Sequence, residues 1–141
     1  MAALVASVVP TCSIVLAADD PTGLAAFYGS LLQQPPAAGL SASHWRLALP
    51  AGGHLQIYGP SRSRPRPRQE GRLALCLQRP GDGEALRCWI VEAQGLGAQL
   101  LDGPRQEPFG WEAWLADPEG NRLLLVVPSS AETPRATGEG P

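Results

Sequence analysis

The stretch LALPAGGHLQIYGP, Leu47–Pro60, returns later in the chain as LADPEGNRLLLVVP, Leu115–Pro128. At a constant offset of 68 residues six positions are identical: Leu47/Leu115, Ala48/Ala116, Pro50/Pro118, Gly52/Gly120, Leu55/Leu123 and Pro60/Pro128. Ile57 and Leu125 agree in character. Each copy reads as strand, glycine-containing turn, strand. Self-similarity at a fixed spacing marks a supersecondary unit used twice.

Outward from this pair, the two units begin alike. SIVLAADDP (Ser13–Pro21) and RLALCLQRP (Arg72–Pro80) each read as a strand running into a proline at a helix start, where a missing N–H is no loss. The first helix is expected over about Pro21–Gln33, with Leu24, Phe27, Tyr28, Leu31 and Leu32 on one face. The second is expected over about Gly83–Gln94, with Leu86, Trp89, Ile90 and Ala93 on one face. The units then span about 11–60 and 71–128 of a single domain, 1–128. Between them GPSRSRPRPRQEG (Gly59–Gly71) alternates Pro and Arg, which predicts an extended, solvated linker. Residues 129–141 are small and polar and read as a flexible tail. The apolar opening, Met1–Ala18, has no basic residue and is broken by Pro10, so it reads as a short leader before the first strand, not a signal peptide or membrane span.

The strands carry one apolar parity: Ile14 and Leu16; Leu55 and Ile57; Leu73, Leu75 and Leu77; Leu123, Leu125 and Val127. A two-layer domain buries that face under its helices. The other parity is mixed, as on a solvated sheet face or a groove lining. With 141 residues, 44% hydrophobic and 17% charged, the chain has the balance of a globular domain with one real core. A net charge of −2 gives no general attraction to nucleic-acid phosphates, and no membrane partner is expected. Three cysteines without CxxC spacing argue against a disulfide framework or zinc ribbon and fit the cytoplasm.

Three features together resemble the vicinal oxygen chelate superfamily, which includes glyoxalase I, extradiol dioxygenases and bleomycin-resistance proteins. They are the helix DDPTGLAAFYGSLL (Asp19–Leu32), the DPxGN turn in WLADPEGNRLLLV (Trp114–Val126), and the tandem repeat itself. The resemblance covers roughly Thr11–Pro128. It implies an α+β fold in which tandem βαβββ-like units form a curved mixed sheet of about eight strands with two main helices packed outside. It also implies a homodimer, since small members commonly pair. The Asp117–Asn121 turn needs no functional reading, because Gly120 and Asn121 tolerate positive φ and Asp117 accepts from nearby backbone N–H groups.

The superfamily's metal takes one ligand from the first and one from the last strand of each unit, commonly His or Gln and then Glu. By the resemblance those positions fall on Ser13, Gln56, Arg72 and Leu124. Gln56 offers an amide oxygen and Ser13 a weak donor, but Arg72 is a permanent cation and Leu124 has no donor atom. No metal, no other cofactor and no catalytic residue is therefore expected. His44 and His54 lie on paired strands but lack a third partner. No nucleophile elbow, P-loop or dinucleotide fingerprint is present.

By alternation, a groove on the mixed face is lined by Arg46, Gln56, Tyr58, Arg72, Glu112 and Trp114, with Trp45 and Trp111 on the opposite parity. An aromatic platform with a few convergent polar groups suits a small, flat or anionic molecule, with Arg72 as anchor and Glu112 as its nearest carboxylate. The leading reading is a glyoxalase- or bleomycin-resistance-like binding protein that works without metal. The alternatives are a metal-dependent lyase, isomerase or dioxygenase of the same superfamily, and an interaction module that keeps only the fold.

Overall fold

The computed structural model describes residues 12–50, 52–63, 65–66 and 73–129. The expected leader before residue 12, the tail from residue 130 and Arg72 lie outside them. The chain divides into two compact units, one ending at Arg66 and one beginning at Pro67.

The first unit runs β1 (Ser13–Ala17), α1 (Pro21–Leu32), β2 (Ala37–Ala38), β3 (His44–Ala48) and β4 (His54–Tyr58). Its mixed sheet has the order β1-β4-β3-β2, with β1 parallel to β4 and the other pairs antiparallel. Helix α1 starts where Asp20 Oδ1 accepts from the Gly23 N–H and Pro21 takes the first turn. It stops at Gln33, whose left-handed backbone turns its N–H back to the Gly29 and Ser30 carbonyls. Leu24, Phe27, Tyr28 and Leu31 are buried against Leu47, Leu55 and Ile57 of the strands. Burying one such side chain contributes roughly 1.5–3 kcal/mol, so this seam outweighs every polar contact in the unit.

The second unit runs β5 (Leu75–Gln78), α2 (Gly83–Leu96), β6 (Gln99–Glu107), β7 (Gly110–Ala116) and β8 (Arg122–Pro128), with the sheet order β5-β8-β7-β6. Leu86, Trp89, Ile90 and Ala93 of α2 are buried, as are Ala113, Leu115, Leu123, Leu125 and Val127 of the sheet. Arg79 holds Glu92 with two N–H groups at 3.3 and 3.2 Å and lies 4.5 Å over the Trp89 ring. The eight strands and two helices of the α+β expectation are thus present, as two mixed sheets of four.

Two sequence readings change. The prolines at 21 and 80 are not equivalent: α2 is capped by Asp82, which accepts from the Ala85 N–H, and Pro80 lies two residues ahead of that cap. The matching positions are the capping aspartates, Asp20 and Asp82. β5 accordingly begins at Leu75, and Leu73, assigned to the core parity, is 68% exposed ahead of the strand. The linker is also more than solvated chain. Its exposed residues Pro65 and Arg66 are tied back to the first unit, where the Tyr58 hydroxyl donates to the Pro65 carbonyl at 3.0 Å and Arg66 pairs with Asp19.

The DPEGN turn between β7 and β8 is organised by one carboxylate. Asp117 is 3% exposed; its Oδ1 accepts from the Glu119 and Asn121 N–H groups at 2.8 and 2.9 Å, and its Oδ2 accepts from Asn121 Nδ2 at 2.8 Å. Gly120 closes the turn at φ +89°, where a side chain would be strained. Removing Asp117 leaves partly buried donors without their acceptor, which costs up to about 1–3 kcal/mol for each such group. Asp117→Ala is therefore expected to lower the unfolding free energy by about 3 kcal/mol in urea titration. A loss under about 1 kcal/mol would show that water replaces the carboxylate at no cost.

Candidate functional site

In each sheet one face lies under its helix, and register decides what stands on the other. In the first unit, directly opposed residues form three rows on the helix-free face: Ser13, His54 and Ala48; Val15, Gln56 and Arg46; Ala17, Tyr58 and His44. Arg46 and Gln56 are therefore neighbours, as the alternation implied. Trp45 belongs to the opposite parity, under the helix. Tyr58 is on the expected face but only 6% exposed, with its hydroxyl held by the linker carbonyl of Pro65. His44 and His54 do not approach: they lie four residues apart across the β3–β4 ladder, on the order of 13 Å by strand rise.

His44 has a role that spacing did not show. It is 3% exposed, and its Nδ1 accepts from the Leu40 N–H at 2.7 Å. Its Nε2 is 3.0 Å from Gln56 Oε1. The Leu40 N–H needs a lone pair on Nδ1, so the ring proton belongs on Nε2 and is donated to Gln56. Gly39 lies close against this ring; a Cβ there would come within 1.8 Å of Nδ1. The only sequence signal for this clamp is a glycine five residues before a histidine, which has many other meanings.

In the second unit the helix-free face carries Cys76 opposite Leu124, which faces Trp114, which faces Asp102. The adjoining row runs Gln78, Val126, Glu112 and Arg105. Trp111 stands under α2, 5.6 Å from the Arg87 guanidinium. Glu112, 14% exposed by its side chain, is held by Arg105 at 3.2 Å, and the same guanidinium reaches Asp102 at 3.0 Å and Glu107 at 3.1 Å. The Glu112 hydrogen bond, then the charge of Asp102, hold the Arg105 guanidinium above its already high pKa. The partner of Glu112 among the described residues is thus Arg105, which the sequence reading passed over because β6 contains Gly103-Pro104 and two register shifts that hide its alternation.

The metal positions can be tested on their chemistry. Gln56 Oε1 already accepts from His44, Ser13 lies one row away from Gln56, and Leu124 has no donor atom. On the parallel first strand of each unit, register sets Val15 directly beside Gln56 and Cys76 beside Leu124. Among the described residues no three His, Cys, Asp or Glu side chains are grouped to hold an ion. This donor set does not fit a divalent metal.

Cys76 is no activated nucleophile either. Its thiol is held above its ordinary pKa, first by loss of solvation at the sheet surface and then by the negative charge of Glu112. A raised pKa leaves less thiolate at a given pH, so Cys76 is expected to alkylate slowly at pH 7.5. Glu112→Gln removes the anion, lowers the pKa and should speed iodoacetamide labelling of Cys76, followed site by site by mass spectrometry; an unchanged or slower rate would contradict this electrostatic account.

The comparisons with known proteins agree with this geometry. The glyoxalase-like domain model matches residues 13–126. No curated protein matches the chain significantly. Among solved structures, a glyoxalase/bleomycin resistance protein/dioxygenase family enzyme from Burkholderia phytofirmans PsJN superposes with a TM-score of 0.69 at 16% identity, covering 80% of this chain and 94% of its own. Lactoylglutathione lyase from Agrobacterium tumefaciens gives 0.60 at 18% identity, covering 84% and 92%. An antibiotic-binding protein from Streptomyces sp. CB03234 gives 0.63 at 21% identity, covering 87% and 98%. At these identities the structures share a fold and nothing narrower. The family match spans both units and their repeat, and the chain belongs to the glyoxalase-like domain family, with the vicinal oxygen chelate fold.

Proposed function

We propose that this protein binds a small molecule, flat or anionic, on a helix-free sheet face and does so without a catalytic metal. The observation that carries this reading is the commitment of the Gln56 amide oxygen to His44, at the one family metal position here able to ligate well. In the first unit Arg46 beside Gln56 offers a cation, and in the second Trp114 beside Leu124 offers a stacking surface, each an element common in small-molecule sites. An antibiotic-binding protein of the same fold supports the reading. Glu112 lines the face through its pairing with Arg105, and Tyr58 closes one end of the first unit's face. Arg72, the anchor suggested by the sequence, lies outside the described residues, and the reading stands without it.

We also infer a homodimer in the cytoplasm. Among the described residues each sheet ends in two strands without a second neighbour, and closed two-fold pairing is a common way to cover such edges. The three exposed free cysteines suit a reducing compartment, and among the described residues no helix is long and apolar enough to cross a membrane.

Purified protein is expected to melt higher in the presence of flat aromatic carboxylates, by about 2.7 kcal/mol of stabilisation at 100 times the Kd. Elemental analysis should find no stoichiometric zinc, nickel, iron or manganese. About one such ion per chain, lost in Gln56→Ala, would replace this reading with the metal-dependent one. Light scattering should give twice the 14.8 kDa chain mass at tens of micromolar protein, and a mass of one chain would remove the dimer.

A further inference from the structure

The two helix-free faces differ in what they ask of a ligand. In the second unit three carboxylates, Asp102, Glu107 and Glu112, surround one guanidinium. In the first unit the strand residues on that face include no Asp or Glu at all. Its central row is Val15, Gln56 and Arg46, with Val15 46% exposed beside the two polar side chains. Among the described residues no carboxylate pairs with Arg46.

A glutamine ordinarily offers a ligand either end of its amide. Gln56 is fixed in one orientation, because the chain of bonds from the Leu40 N–H through His44 places the imidazole proton on Nε2 and turns Gln56 Oε1 toward it as acceptor. The amide NH₂ is the end left over. Gln56 and Arg46, directly opposed on neighbouring strands with Cβ atoms about 5 Å apart, then present two donor groups, one neutral and one charged. Two adjacent donors with no competing anion among the described residues match the two oxygens of a carboxylate, and the exposed Val15 on the other side of Gln56 suits an apolar body attached to it.

We propose that Gln56 and Arg46 form a donor pair that recognises the carboxylate of a small, partly apolar acid, with His44 as the positioning residue that holds the Gln56 amide in its donor orientation. This rests on the binding-protein reading and names the chemical class of ligand and the group recognised. It also gives the family's metal position a different task, reading an anion through nitrogen instead of holding a cation through oxygen.

The test uses the full chain, naphthalene-2-carboxylate as probe, and 2-naphthylmethylamine and 2-naphthylmethanol as matched cationic and neutral controls. Side-chain amide signals of Gln56 and the Nε signal of Arg46 are followed by NMR, beside calorimetric affinities. The carboxylate is expected to bind at least about tenfold more tightly than either control and to shift both side-chain signals. Gln56→Glu keeps an acceptor for His44 but removes the donor and adds an anion; it and Arg46→Ala should each weaken the carboxylate by about tenfold or more while leaving the melting temperature near that of the parent. His44→Phe should weaken it by less and broaden the Gln56 amide signals as the amide loses its fixed orientation. Equal binding of all three probes, with Gln56→Glu tolerated, would overturn the donor pair and leave the binding-protein reading in place. No binding of any probe to the helix-free faces would overturn both.

Discussion

Parallel pairing of the first strand of each unit with its last is the constraint on which the rest depends. Once Val15 lies opposite Gln56 and Cys76 opposite Leu124, strand alternation assigns every neighbouring side chain to a face. A slip of one residue would send Leu55, Ile57, Leu123 and Leu125 to the wrong side of their sheets. These leucines and isoleucine are fully buried, so such a slip would expose several core side chains at roughly 1.5–3 kcal/mol each. No polar contact on the helix-free faces is of that size. The chemistry of those faces is therefore set by packing on the faces behind them.

That hierarchy explains what could be read in the sequence. The offset-68 repeat marks the β3–β4 and β7–β8 segments, because apolar alternation and a glycine turn are local signals. Both helices begin where expected, and the four residues proposed for the buried side of α2 are all buried. The start of the second unit was misaligned because proline is a conspicuous letter while an aspartate cap is an inconspicuous one. Asp20 and Asp82 perform the same hydrogen bond in the two units, and Pro21 and Pro80 do not share a position.

The polar contacts were harder to foresee. Arg105 has three carboxylates within reach only because β6 shifts register twice, and no periodicity encodes a bulge. In the sequence His44 is a strand histidine without the partners of a metal site. Its significance lies in a backbone N–H four residues earlier that fixes its tautomer, and through that tautomer the orientation of Gln56. A residue type announces what an atom is capable of, while its hydrogen-bond partners decide which capability remains.

The tryptophans of the fold are divided one to three: Trp45 stands alone in the first unit, and Trp89, Trp111 and Trp114 belong to the second. Two of the latter lie beside guanidinium groups, Trp89 by Arg79 and Trp111 by Arg87. The indole of Trp45 lies on the helix side of its sheet with its Nε1 buried and unbonded. The protein thus carries a built-in optical asymmetry. Three of its four indoles stand in the second half of the repeat, and a chain in which only Trp45 is kept turns fluorescence into a report on the half that holds Gln56 and Arg46.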